Sequence, residues 1–177
     1  MNLSVALGLV IIAALAALCY AAFSFFKVKK LEEGTDRMQE IAAAIRLGAN
    51  TFIRYEYKIL IVVVLVVAVV LALLISWQAA VAFIIGTVMS GAAGYVGMKI
   101  ATYANVRASN KARVTGELGE TLKVAFRGGS VMGLCVGGFA LLGIFLVYLI
   151  FGVALGQMDE VVTGAAAETW NLFGLEA

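Results

Sequence analysis

The sequence has no proline, no histidine and only two cysteines in 177 residues. Without histidine there is no imidazole for acid–base work near neutral pH or for metal ligation. Without proline, no residue forces a break inside a helix. Cys19 and Cys135 both fall within apolar runs, where thiols are expected to be buried and to pack as small apolar groups. That spacing argues against a disulfide framework or a metal pair. Charge is scarce as well, at 14% of residues against about 25% for an ordinary soluble domain.

What fills the space is hydrocarbon. The chain is 63% hydrophobic, and the stretches 3–26, 59–76, 79–98 and 130–153 contain no Asp, Glu, Lys or Arg. At about 1.5 Å per helical residue, each can cross a hydrocarbon core of about 30 Å. In lipid every backbone amide needs an internal partner, which leaves helices or closed barrels. Continuous apolar runs exclude the alternating pattern of barrel strands. The expected fold is therefore all-α and integral to the membrane, with four spans. The first run is too long for a signal-peptide core and lacks a basic segment before it, so it is expected to remain as a span.

The missing carboxylates exclude function classes too. A small drug exporter or a proton-driven rotor hairpin needs an ionisable group at membrane depth, and these spans offer none. No nucleophile–base pair and no trio of closely spaced carboxylates appears in the polar segments. Catalytic and metal-binding residues are accordingly expected to be absent from this stretch of chain.

All thirteen Lys and Arg residues lie in 27–58 or 99–127. None precedes the first span, lies at 77–78, or follows residue 153. The positive-inside rule then makes 27–58 and 99–129 cytoplasmic connections. The N-terminus, the 77–78 turn and the acidic tail 154–177 (Asp159, Glu160, Glu168 and Glu176) become external. Trp77 and Tyr148 suit the interfacial aromatic belt. The basic stretch GMKIATYANVRASNKAR (97–113) has two readings. It is a topology signal with Lys99 snorkelling, or a basic site for phosphate-bearing ligands.

Within 33–58, Thr35 can cap a helix whose first turn holds Asp36. Met38, Ile41, Ile45, Ala49 and Phe52 recur at helical spacing, so an amphipathic surface helix is expected to run into the second span, with a kink at Gly48. Gly116 and Gly119 are expected to break the second connection. Gly86, Ser90 and Gly94, and likewise Gly129, Gly133 and Gly137, recur every four residues and read as close-packing seams. FRGGSVMGLCVGG lacks the GxxxxGK[ST] pattern of a phosphate-binding loop, and packing accounts for its glycines better.

Three segments, EGTDRMQEIAAAIRLGANTF (33–52), GMKIATYANVRASNKAR and AFRGGSVMGLCVGGFALLG (125–143), together resemble the N-terminal region of the membrane-integral pyrophosphatases. These are the pyrophosphate-energised sodium or proton pumps. The order and spacing match over almost the whole chain. Tyr103 departs from the resemblance, since related sequences often carry a basic residue there.

The resemblance implies a homodimeric pump of about sixteen transmembrane helices in the cell inner membrane. Magnesium pyrophosphate would be hydrolysed at the cytoplasmic ends of an inner helical ring, with potassium as an activator in one branch. It also implies that this chain is an N-terminal fragment from the outer ring, ahead of the acidic DxxxDxxxK run, so no catalytic, pyrophosphate-binding or magnesium-binding residue carries over. The match from 128 to 152 is closest to the potassium-stimulated, sodium-pumping branch. Lys99, Arg107, Lys111, Arg113 and Arg127 remain as cations that could steer pyrophosphate electrostatically. No nucleic-acid partner is implied. The competing reading is a complete four-span scaffold without catalysis.

Overall fold

In a computed structural model that describes residues 3–154, the apolar runs fall for the most part within four helices. These are α1 (Leu3–Lys29), α2 (Asp36–Leu74), α3 (Trp77–Thr115) and α4 (Leu118–Val147), with a π-helical turn at Tyr148–Ala154. All four are long and apolar enough to cross a membrane, and no strand occurs among the described residues. The acidic residues 159, 160, 168 and 176 lie outside the described part.

Helix ends follow local chemistry. Thr35 caps α2 by accepting from the Met38 amide at 3.4 Å, and Ser76 caps α3 by accepting from Ala79 at 3.2 Å. Gly116 closes α3 in the left-handed region at φ 66°, which a side chain would disfavour. Gly119, by contrast, lies within the first turn of α4 and breaks nothing. The connection read at 99–129 is thus helical apart from Gly116 and Glu117.

The helix expected to run from Asp36 into the second span is present. α2 is one helix of 39 residues, and so is α3. Each is about 58 Å long at 1.5 Å per residue, twice the hydrocarbon thickness. Gly48 lies inside α2, at a cost of about 1 kcal/mol relative to alanine, and does not end it. The stripe of Ile41, Ile45 and Phe52 stays exposed, and Ala42 and Ile53 are buried in its place.

Packing runs α2 to α3 to α4 to α1, with α1 also touching α3. Ala14, Ala21 and Val28 form the inner stripe of α1. It meets Val131 and Cys135 of α4 and Ala93, Ile100 and Ala104 of α3. Such small residues let helix backbones approach closely where lipid removes the hydrophobic drive. On the other side of α3, the Tyr57 hydroxyl donates to the Gly91 carbonyl and ties α2 on.

The expected seam on α4 is also corrected. A Cβ at Gly129, Gly133 or Gly137 would meet nothing within 4 Å. The buried glycines are Gly128, Gly138 and Gly143, which face Ala104, Leu18 and Met89. One residue turns a helix by 100°, so two glycine sets one position apart lie on different faces. Gly86, Ser90 and Gly94 border an open groove of about 590 Å³ between α3 and α4 rather than a closed contact. Cys19 is exposed, contrary to expectation, because α1 buries the Ala14–Ala21–Val28 face; Cys135 is buried.

Candidate functional site

The polar chemistry of the described residues gathers where α1 ends, the 30–35 loop turns, and α3 passes beside both. Arg107 is its centre. The side chain is only 5% exposed, because α3 places it one turn beyond the buried Ala104, on the face that meets α1. Its guanidinium donates to the carbonyls of Leu31 at 2.9 Å, Tyr103 at 3.0 Å and Lys29 at 2.8 Å. It also lies 3.0 Å from Oε1 of Glu33. Two of those carbonyls belong to the end of α1 and the residues just after it. There the helix dipole is negative and the last carbonyls lack amide partners. A planar guanidinium with five N–H donors suits this task, and an ammonium does not.

Glu33 then joins α3 to α2. Arg46 binds it through both oxygens, at 2.7 and 2.9 Å, so one carboxylate lies between two guanidiniums. The Tyr103 ring lies beneath the group, with Arg46, Arg107 and Lys29 at 5.3, 5.4 and 5.6 Å from its centroid. Phe25 closes the edge of that ring at 6.0 Å. Asn110 donates to the Glu32 carbonyl at 3.3 Å. Gly34 holds φ 92°, and any Cβ there would come within 2.7 Å of the Asn110 carboxamide oxygen. The tight turn that presents Glu33 therefore requires glycine.

The hydrogen bonds from Arg46 hold the Glu33 carboxyl below the usual carboxylate range, aided by the Arg107 charge and opposed by burial. A lowered folded value means that Glu33 stabilises the fold fully above the ordinary value of 4.5. That contribution is lost as pH falls through the lower folded value. Glu33→Gln is expected to cost about 1–3 kcal/mol near neutral pH by leaving both guanidiniums undercompensated. Unfolding titrations of the two proteins should converge as pH drops below 4.5. A pH-independent gap between them would count against the ionised pair.

The cations singled out in the sequence do not converge on one site. Lys99 donates to the Asn50 carboxamide across α2 and α3. Arg107 is buried in the latch. Lys111 lies 3.8 Å from Glu120, and Arg113 donates to Asn110 at 2.9 Å. Arg127 lies on α4 in a groove that Tyr20 of α1 also lines. Sequence reasoning did not assign roles to Glu33, Arg46 and Asn110. Glu33 opens a quoted motif, but its partners Arg46 and Arg107 stand 13 and more positions away. Among the described residues no trio of His, Cys, Asp or Glu comes together to hold a metal, so these residues do not fit a magnesium site.

Fold and site together define a multi-span α-helical membrane protein whose loop end is locked by buried charge. The comparisons narrow this. Residues 15–175 match the family model described as inorganic H+ pyrophosphatase, and the chain belongs to that family. It is 52% identical over 147 residues to a K(+)-stimulated pyrophosphate-energized sodium pump of Thermotoga maritima, covering 83% of this chain and 20% of that protein. It is 44% identical over 154 residues to a putative pump of the same description from Clostridium tetani, covering 87% and 22%. A K(+)-insensitive pyrophosphate-energized proton pump of Methanosarcina mazei is 40% identical over 149 residues, covering 81% and 21%. The chain spans about a fifth of the length of these curated relatives.

Proposed function

We propose that this chain is part of a membrane pump that couples hydrolysis of inorganic pyrophosphate to cation translocation out of the cytoplasm. The family match over residues 15–175 carries this reading. Sodium is the favoured cation and potassium the favoured activator, because the 52% identical relative bears that description while the proton pump is 40% identical. Magnesium would supply charge neutralisation of the leaving phosphate, held by residues elsewhere in the longer protein. The four helices described above brace that machinery, and the homodimer implied by the resemblance would form from the longer protein.

The loop end is placed in the cytoplasm, with the N-terminus outside the cell membrane. In support, the 30–35 loop and the Gly116–Glu117 turn share the basic end of the helices. Lys111 and Arg113, the exposed or half-exposed members of the basic set near the α3–α4 turn, raise the local pyrophosphate concentration there.

Vesicles carrying the full-length protein that contains this chain should take up sodium when given magnesium pyrophosphate, faster with potassium. The apparent KM should rise with ionic strength. Uptake of neither sodium nor protons would sink the reading. Proton uptake without a potassium effect would keep the pump and reject the sodium branch.

A further inference from the structure

We propose that the groove between the start of α4 and Tyr20 of α1 binds the phosphate headgroup of an anionic phospholipid, with Arg127 as its cation. The first observation is an imbalance of partners. Arg46, Lys99, Arg107 and Lys111 are the other cations that the fold withdraws from full exposure. Each faces a carboxylate, a carboxamide oxygen or carbonyls. Arg127 is half-buried too, yet its guanidinium meets no acceptor among the described residues. Withdrawing a charge from water without a partner is costly, and an anion from outside the chain supplies one.

The groove is open to its surroundings, and its chemistry suits such an anion. Its volume is about 540 Å³, enough for a glycerophosphate headgroup. Its polar side chains are Tyr20, Lys123, Arg127 and Ser130, and no carboxylate lines it. The Ser130 hydroxyl already donates to the Arg127 carbonyl at 2.9 Å, so Tyr20, Lys123 and Arg127 are the donors left for an anion. Lys123 is paired with Glu120 at 2.6 Å, but both side chains are solvent-accessible, and such pairs exchange partners at little cost.

The surroundings select lipid over a water-borne phosphate. Phe126, beside Arg127, is 72% exposed, and Leu122 and Tyr20 are exposed as well. The uncharged run of α4 begins at Ser130, three residues past Arg127. Apolar side chains flanking cations at that depth match the border between headgroups and acyl chains. A site for free pyrophosphate would leave those apolar groups in water. The proposal does not depend on the pump reading.

The test is native mass spectrometry of the full-length protein in neutral detergent, supplied equally with phosphatidylglycerol and phosphatidylcholine. Preferential retention of phosphatidylglycerol is expected. Arg127→Gln should weaken that retention about fivefold, as loss of one basic side chain near an anionic surface implies. Arg127→Lys should keep most of it. Arg54→Gln, which removes an exposed cation of α2, should change nothing. Lys123→Glu on the accessible wall provides the same reading should Arg127→Gln fail to fold. The proposal falls if neither Arg127→Gln nor Lys123→Glu weakens retention, or if the native protein shows no preference between the lipids. Displacement of bound phosphatidylglycerol by inorganic phosphate or pyrophosphate would also overturn it, by assigning the groove to a soluble anion.

Discussion

Replacing Arg107 by Gln is expected to destabilise the protein by about 3–5 kcal/mol, the range for removing one partner from a buried charge group. The size follows from what would be orphaned. The carbonyls of Lys29 and Leu31 would lose their donors, and Glu33 would lose one of its two guanidiniums. At 5% exposure, water offers little compensation. Arg107→Lys should recover only a minor part, since one ammonium cannot reach the Lys29, Leu31 and Tyr103 carbonyls and Glu33 together. Unfolding by detergent titration measures this directly. A native-like midpoint for Arg107→Gln would show that the latch does not hold α1 to α3. The charge set that looked like a substrate attractor in sequence is thus split, with its most buried member engaged in structure.

The second large effect distinguishes two neighbouring glycines. Gly128→Ala would place a Cβ 2.6 Å from that of Ala104, forcing α3 and α4 apart. Overpacking of that kind costs about 1–3 kcal/mol. Gly129→Ala meets nothing within 4 Å and should gain up to about 1 kcal/mol from alanine's better helix propensity. The two variants should therefore move the unfolding midpoint in opposite directions. Equal effects, or a larger loss at Gly129, would mean that α4 is rotated relative to this packing and that the every-fourth-residue seam is the real contact.

These expectations mark where sequence reasoning succeeded and where it stopped. The glycines at 129, 133 and 137 are as regular as any close-packing motif, yet they face away from the bundle. The inner stripe of Val124, Gly128, Val131, Cys135 and Gly138 mixes sizes and chemistry, so nothing in composition singled it out. The latch escaped for a different reason. Arg107 and the Lys29 carbonyl are 78 positions apart, and no periodicity within one helix joins them. Tyr103 read only as a departure from the resemblance, but it is the ring beneath three cations.

Hydropathy and charge determined by themselves that this is a membrane chain of four helices with its basic residues at one end. Capping chemistry determined where α2 starts and α3 stops. Those properties are set by a residue and its near neighbours along the chain. Which face of each helix turns inward, which cation is buried, and which is left without a partner were decided only by tertiary packing. Helix rotation depends on how complete surfaces fit against each other, and residues far apart in the chain contribute to every such fit.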